Sequence, residues 1–524
     1  MTAPTLTATL PRRKLPIGIQ TFREIREDNC YYVDKSGMAV DLVQTGKAYF
    51  LSRPRRFGKS LLLDTFKELF EGNKALFGGL AAEPLWDWDK KYPVIRVSFS
   101  DGVLQNRTQL DQRISEILID NQNRLGVRCQ HQSLGGQFAE LIAQAHQTTG
   151  QRAVVLIDEY DKPILDNITN SAVALEMREG LNLYSVLKGS DEHLKFVFLT
   201  GVSKFSKVSL FSGLNNLTDI TLDARYSALC GYTDADVDAV FAPELPGLDR
   251  EQIRQWYNGY NWLGTSVYNP FDLLLLFRSR EFRPYWFETG TPSFLIKLLA
   301  QRQQFTPDLS RIVAPEALLS TFDVDNIPVE ALLFQAGYLT IASAWRIPGR
   351  LELTLKYPNL EVQASLNDSL LQSLTGGLAV PGPQISQLYR LLQARDAAAL
   401  KDLFHAFYAT IPNDWYRKNA LAKFEGYYAS IFYSYFAALG LDIRLEDTTN
   451  KGRIDMAVLF EGQVFLFEFK VVELTPKGRA LQQIKDKGYA DKYRARGEPI
   501  HLIGVEFSKV SRNIVGFEVE TILA

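Results

Sequence analysis

Asp455, Glu468 and Lys470 lie on two short apolar runs, and their spacing brings two acids together. "RIDMAVLF" (453–460) and "VFLFEFK" (464–470) read as strands joined at Glu461-Gly462. A two-residue turn there sets Asp455 opposite Glu468 and Arg453 opposite Lys470. Opposed residues project to one face with Cβ atoms about 4.5–5.5 Å apart. Carboxylates that close repel unless a cation lies between them, and carboxylates with open water positions suit Mg²⁺ or Mn²⁺. Strand alternation keeps Lys470 on the same face, where it can orient or deprotonate a water, and puts Phe465, Phe467 and Phe469 on the other. The chemistry implied is metal-assisted hydrolysis. The alternative is an ordinary ion-pair ladder on a solvated sheet face.

Two flanking segments with helical periodicity bear on the choice. "KFEGYYASIFYSYFAALG" (423–440) carries an early Glu425 that can reach the same metal. "GRALQQIKDKGYADKYRARG" (478–497) reads as one helix with Gln483, Lys487, Tyr489 and Lys492, a basic and aromatic surface suited to a phosphate backbone.

A second constellation lies near the other end. "YFLSRPRRFGKSLLLDTFKELF" (49–70) runs from strand to loop to helix through Gly58, Lys59 and Ser60. The triplet matches the end of a Walker A loop: Lys59 for the β- and γ-phosphates of ATP, Ser60 for Mg²⁺, and helix N–H groups for the phosphates. Arg53 stands where the pattern wants its first glycine, and Arg55 and Arg56 lie inside the loop, facing either phosphates or a partner surface. "AVVLIDEYD" (153–161) delivers Asp158 to Mg²⁺ and Glu159 to the attacking water, as a Walker B strand does. "FLTGVSKFSK" (198–207) offers Thr200 and Ser203 as sensors of the γ-phosphate. Arg225 is the arginine to test as a finger. The alternative is an α/β domain with a helix-capping acid pair and no nucleotide.

The elements that must position these residues follow from periodicity. "AYFLS" (48–52), "VIRVSFS" (94–100), "AVVLID" (153–158) and "FVFLTG" (196–201) alternate with amphipathic helices, which argues for a parallel α/β sheet. From about Thr233 the chain turns helical, with Trp256 and Tyr257 read as core. A strand pair follows at "YLTIAS" (338–343) and "LELTLKYP" (351–358), and "LTGGLAVPGPQ" (374–384) is the best linker. The C-terminal unit reads as helix, three strands, helix and strand. A formal charge of −2 gives no global nucleic-acid signal, so any such surface is local. Cys30, Cys129 and Cys230 are too scattered for a disulfide framework or a zinc set. No apolar run suggests a signal peptide or a membrane span, so a cytoplasmic protein is expected.

Asp455, Glu468-x-Lys470, Glu425 and "QIKDKGY" together resemble the PD-(D/E)XK nuclease superfamily. The resemblance implies Asp455 and Glu468 as metal ligands, Lys470 as the catalytic lysine, Glu425 as an auxiliary acid and Gln483 as a supporting polar group. "LPIGIQTFREIREDNCYYVDKS" (15–36), "SRPRRFGKS", "LIDEYDKP", "LTGVSKFSKVSLFSGLNNLTDIT" (199–221), "WYNGYNW" (256–262) and "ETGTPSFL" (288–295) resemble the AAA-ATPase-like modules that precede such nucleases in bacterial proteins. That family's loop is similar to "RPRRFGK".

The expected α/β architecture is a tail (1–14), an AAA-like P-loop domain with a parallel sheet (15–232), a helical lid (233–300), a winged-helix-like region (301–373), linker and helices (374–415) and an αβββαβ restriction-endonuclease-like domain (416–524). The implied function is ATP binding and hydrolysis coupled to a Mg²⁺-dependent nuclease acting on DNA. The alternatives are a STAND-like switch with a latent nuclease, responding to a protein trigger, and an ATP-dependent DNA-binding protein that does not cut. A homo-oligomer fits many AAA-like modules.

Overall fold

The computed structural model describes residues 11–205, 217–290, 312–320, 328–374, 382–410, 425–449 and 451–523, with residues 295, 299 and 309. They group into two compact units. The first runs to Gly290 and takes in Ile312–Asn359; the second takes up the chain again from Leu360.

The first unit is built on strands β1 (Ala48–Ser52), β2 (Val94–Ser98), β3 (Ala153–Asp158), β4 (Leu194–Gly201) and β5 (Thr218–Asp219), all parallel, in the order β2-β3-β4-β1-β5. Every residue of β1 and β3 is buried. Covered parallel strands need this, because helices occupy both faces. Helix Lys59–Phe70 lays Phe66 and Phe70 onto Phe196 and Phe198 of β4 at ring-centroid distances of 4.9–5.4 Å. β4 separates β1 from β3, so the phosphate loop and the Asp158 strand end flank the end of a third strand.

Beyond the sheet come helices Asp234–Val240, Arg250–Tyr257 and Pro270–Ser279, packed through Phe241, Tyr257, Leu276 and Phe277 on Tyr31 and Val33. Trp256 joins that core from its edge. A capping box, with Thr233 and Asp236 each bonding the other's backbone N–H, starts the first of these helices. β6 (Ile312–Pro315), β7 (Thr340–Ile347) and β8 (Arg350–Lys356) make an antiparallel sheet in the order β6-β8-β7. Its hairpin runs further than "YLTIAS", since Ser343 to Arg346 stay paired though exposed on both faces. Helix Leu360–Leu374 belongs instead to the second unit. There it packs on helix Glu425–Ala438, and Leu371 enters the same core.

The second unit carries β9 (Asp442–Thr449), β10 (Gly452–Phe460), β11 (Gln463–Val472), β12 (Ile500–Ser508) and β13 (Ile514–Ile522) in the order β13-β12-β11-β10-β9. Only β11 and β12 run parallel. β13 is an edge strand beyond the expected αβββαβ order, and after Ile514 all its residues are half-buried or exposed. β11 is covered on both faces. Phe465, Phe467 and Phe469 enter the core under helix Glu425–Ala438, and Val464 and Leu466 enter the one under helix Arg479–Asp486.

The segment 478–497 is not one helix. Its α-helix ends at Asp486, Gly488 takes a left-handed φ of 58°, and two short 3₁₀ turns follow. The break has a physical origin: Tyr489 and Tyr493 turn inward as core rather than continuing an exposed face. Lys487 and Lys492 are the two residues of the expected basic surface that stay exposed, and Lys492 is tied to Asp447 at 2.5 Å.

Candidate functional site

The β10–β11 hairpin has the register the turn chemistry calls for. Glu461 and Gly462 have φ of 44° and 74°, the left-handed pair of a type I′ turn, and Phe460↔Gln463 through Met456↔Phe467 are paired. The ladder stops one step short of Asp455 and Glu468. There Asp455 Oδ2 accepts a hydrogen bond from the Phe469 backbone N–H at 2.8 Å, so a carboxylate takes the place of a strand carbonyl. The two strands part where the acids stand.

Glu468 is 1% exposed. Its Oε1 accepts from Lys470 Nζ at 3.0 Å and from Gln483 Nε2, which reaches across from helix Arg479–Asp486. Its Oε2 is buried with no hydrogen-bond partner. Burial first, and then the charge of Asp455, raise its pKa to about 7; Lys470 pulls the other way. Burial likewise raises Asp455. A carboxylate oxygen held in the interior without a donor, beside a second acid, fits a hard divalent cation. Asp455 and Glu468 are the residues that would hold it. Among the described residues no three His, Cys, Asp or Glu side chains form a metal cluster, so water or substrate oxygens would complete the shell. Glu425 opens its helix, but its side chain lies outside the described residues.

Two residues not singled out from sequence position the Gln483 helix. Gly504 of β12 pairs with Glu468, and a Cβ there would collide with the Leu481 backbone, so only glycine lets the helix come this close. Glu506, buried and in register with Lys470, accepts from the backbone N–H groups of Lys477 and Arg479 and so holds the helix start. No motif marks either residue.

In the first unit the phosphate loop opens onto a cleft of about 390 Å³ lined by Arg55, Arg56, Gly58, Lys59, Ser60 and Glu159, among others. Gly58 has φ of 90° and caps helix Lys59–Phe70, so the helix N-terminus faces the loop. Lys59 Nζ donates to the Arg53 and Pro54 carbonyls, both at 2.9 Å, and burial lowers its pKa. Ser60 Oγ donates to Asp158 Oδ2 and Thr200 Oγ1 to Asp158 Oδ1, each at 2.6 Å. A hydroxyl and an oriented carboxylate are the hard oxygen donors that Mg²⁺ takes, so Ser60 and Asp158 fit that ion. Thr200 and Ser203 do not line the cleft. Thr200 orients Asp158, and Ser203 donates its backbone N–H to Asp161, whose buried carboxyl is pushed up to about 7 by desolvation. Asp161 lines the cleft; only its place after Asp158-Glu159 could have drawn notice. Arg225 is held by Asp223 at 2.7 Å and lies off the cleft wall.

Arg53 needs no glycine conformation, since its φ is not positive. Its guanidinium is wholly buried, donates to the Ser52, Thr221 and Tyr226 carbonyls at 2.7–3.2 Å, and stacks 4.0 Å from the Trp262 ring centroid. Desolvation lowers its pKa to about 10.

Comparison with known proteins finds a family match over each of the two regions that carry these residues. Residues 16–211 match the model of the family described as "Predicted AAA-ATPase", and residues 423–517 match one of the PD-(D/E)XK nuclease superfamily. A relative from Azotobacter chroococcum mcd 1, "Uncharacterized protein in vnfD 5'region", is 63% identical over 515 residues, which covers 98% of this chain and all of the relative. Among the described residues no helix is long and apolar enough to cross a membrane. With both regions matched in sequence, the chain belongs to the family of predicted AAA-ATPases that carry a PD-(D/E)XK nuclease superfamily domain.

Proposed function

We propose that the protein is a Mg²⁺-dependent nuclease acting on DNA, with Asp455, Glu468 and Lys470 at its centre, and that ATP bound at Lys59, Ser60 and Asp158 controls it. The observation that carries the nuclease reading is Glu468 Oε2: a buried carboxylate oxygen, lacking a donor, next to Asp455. Bound between the two acids, the ion would bind a phosphate oxygen and lower the pKa of the attacking water. Lys470, whose ammonium is partly exposed and fixed on Glu468, orients that water and meets the charge that develops on the phosphate. Gln483 holds Glu468 in one rotamer, and the Phe469 N–H does the same for Asp455. Glu425 is assigned as an auxiliary acid.

At the nucleotide site Lys59 and the helix N-terminus bind phosphate, and Thr200 fixes the face that Asp158 presents to Ser60. Glu159 polarises the water that attacks the γ-phosphate. The test is incubation of supercoiled DNA, labelled single strands and RNA with Mg²⁺, with and without ATP, using wild type and Glu468→Gln. Cleavage lost in the variant supports the assignment, and cutting by Glu468→Gln at the wild-type rate overturns it. Cutting only with ATP and a cell lysate would place the chain with triggered switches.

A further inference from the structure

The geometry points to Arg56 as the arginine that meets the γ-phosphate, supplied in cis from the phosphate loop; this rests on the nucleotide reading above. Three observations carry it.

Arg56 lines the cleft with Lys59, Ser60 and Glu159. Its side chain is exposed and has no hydrogen bond or ion pair among the described residues. Its guanidinium lies over the Phe271 ring, whose centroid is 4.8 Å from its Cζ. A guanidinium carries five N–H donors in a fixed fork suited to phosphate, and an aromatic face satisfies none of them. Stacking parks the charge at the cleft without using it.

The backbone is also unusual. Arg56 has φ of 69°, a left-handed conformation that costs a side-chain-bearing residue free energy. Glu159, across the same cleft, has φ of 51°. Non-glycine residues hold such conformations when the surroundings over-determine them, and they collect at functional sites. Here the surroundings are visible. Phe57 packs on Tyr260 and Trp262 at 4.8 and 5.6 Å, Trp286 Nε1 donates to the Arg55 carbonyl at 3.1 Å, and Arg53 is welded in place. The loop on both sides of Arg56 is fixed, while its guanidinium meets only a ring face among the described residues.

Arg55 also lines the cleft, whereas Arg225, the arginine read from the sequence as a finger, is engaged elsewhere. Arg225 makes paired hydrogen bonds from Nε and Nη2 to the Asp223 carboxylate, which forms a closed fork. Freeing it would break a charge-assisted pair, whereas moving Arg56 breaks one ring contact. An arginine in cis also removes the need for a neighbouring copy to complete the site.

The test measures affinity for ADP and for ADP with aluminium fluoride, a mimic of the transferring phosphoryl group, on the full chain with Mg²⁺. Lys59→Ala is the control for the site itself. If it binds both as wild type does, the nucleotide reading fails, and this inference with it. With that control weakened as expected, Arg56→Ala should lose about 10²–10³-fold for the aluminium fluoride complex and about threefold or less for ADP. Arg56→Lys should recover little, because an ammonium lacks the planar fork. Arg225→Ala should stay within about twofold on both ligands, since Asp223 holds it off the cleft. Equal losses on both ligands in Arg56→Ala, or the selective loss appearing in Arg225→Ala instead, would overturn the inference. So would tight aluminium fluoride binding restored by mixing Arg56→Ala with Lys59→Ala, which requires an arginine in trans.

Discussion

Lys470 Nζ stands 3.0 Å from Glu468 Oε1, two residues back on the same face of β11, and that contact takes up half of a buried carboxylate. The other half, Oε2, is left without a donor. A strand that buries an acid, pairs one of its oxygens and leaves the other bare is poorly suited to stability and well suited to a cation.

Removing that acid should therefore stabilise the metal-free protein while abolishing cleavage. The folded pKa of Glu468 is about 7 against an ordinary 4.5, so the folded state holds a proton that the unfolded state has released. Stability from this group is full below about pH 4.5 and is lost as pH rises towards 7 and above. Glu468→Gln should melt higher than wild type at pH 8, by about 1–3 kcal/mol equivalent, and show little difference at pH 5. Thermal melts in chelator at the two pH values check this. A smaller gain at pH 8 than at pH 5 would contradict the sign.

Lys470→Met and Gln483→Ala should separate chemistry from metal binding. Each leaves both acids in place, so divalent-ion affinity should fall by about tenfold or less in either variant. Cleavage should fall by about 10³-fold or more in Lys470→Met and by about 10–100-fold in Gln483→Ala. Single-turnover cleavage at saturating Mg²⁺ measures both losses.

Restoring the glycine that the phosphate-loop pattern wants should harm the protein. Arg53→Gly removes a buried guanidinium that donates to three backbone carbonyls and stacks on Trp262. The expected loss is about 3–5 kcal/mol in the unfolding of the first unit, followed by denaturant titration, because the carbonyls are left buried and a cavity opens. Unchanged stability would mean that Arg53 is a passenger.

Gly504→Ala tests the helix that carries Gln483. A methyl group at Gly504 would meet the Leu481 backbone, so the helix must move away from β12. Cleavage should fall at least as far as in Gln483→Ala, with bound divalent ion retained, as measured by calorimetry alongside the cleavage assay.

What could be read in the sequence were features fixed by local rules. The Glu461-Gly462 turn dictates one register, and with it the meeting of Asp455 and Glu468. The apolar runs of β1 and β3 end where their polar residues begin, so both strands lie where periodicity puts them. Tertiary contacts decided the rest. Gly488 ends a helix that continues on paper because Tyr489 and Tyr493 are drawn into the core. Arg53 looks like a flaw in a glycine motif until the Thr221 and Tyr226 carbonyls, far along the chain, come to it. Gly504 and Glu506 gain their roles from a helix packed across β12, a relation no local pattern records.

The most direct measurement is Mn²⁺ binding, followed by electron paramagnetic resonance, to nucleotide-free wild type, Asp455→Asn and Glu468→Gln at pH 8. One ion bound by wild type, with affinity weakened by about 100-fold or more in each variant, is the expected result. An ion bound equally well by all three proteins would contradict a shared site between those two carboxylates.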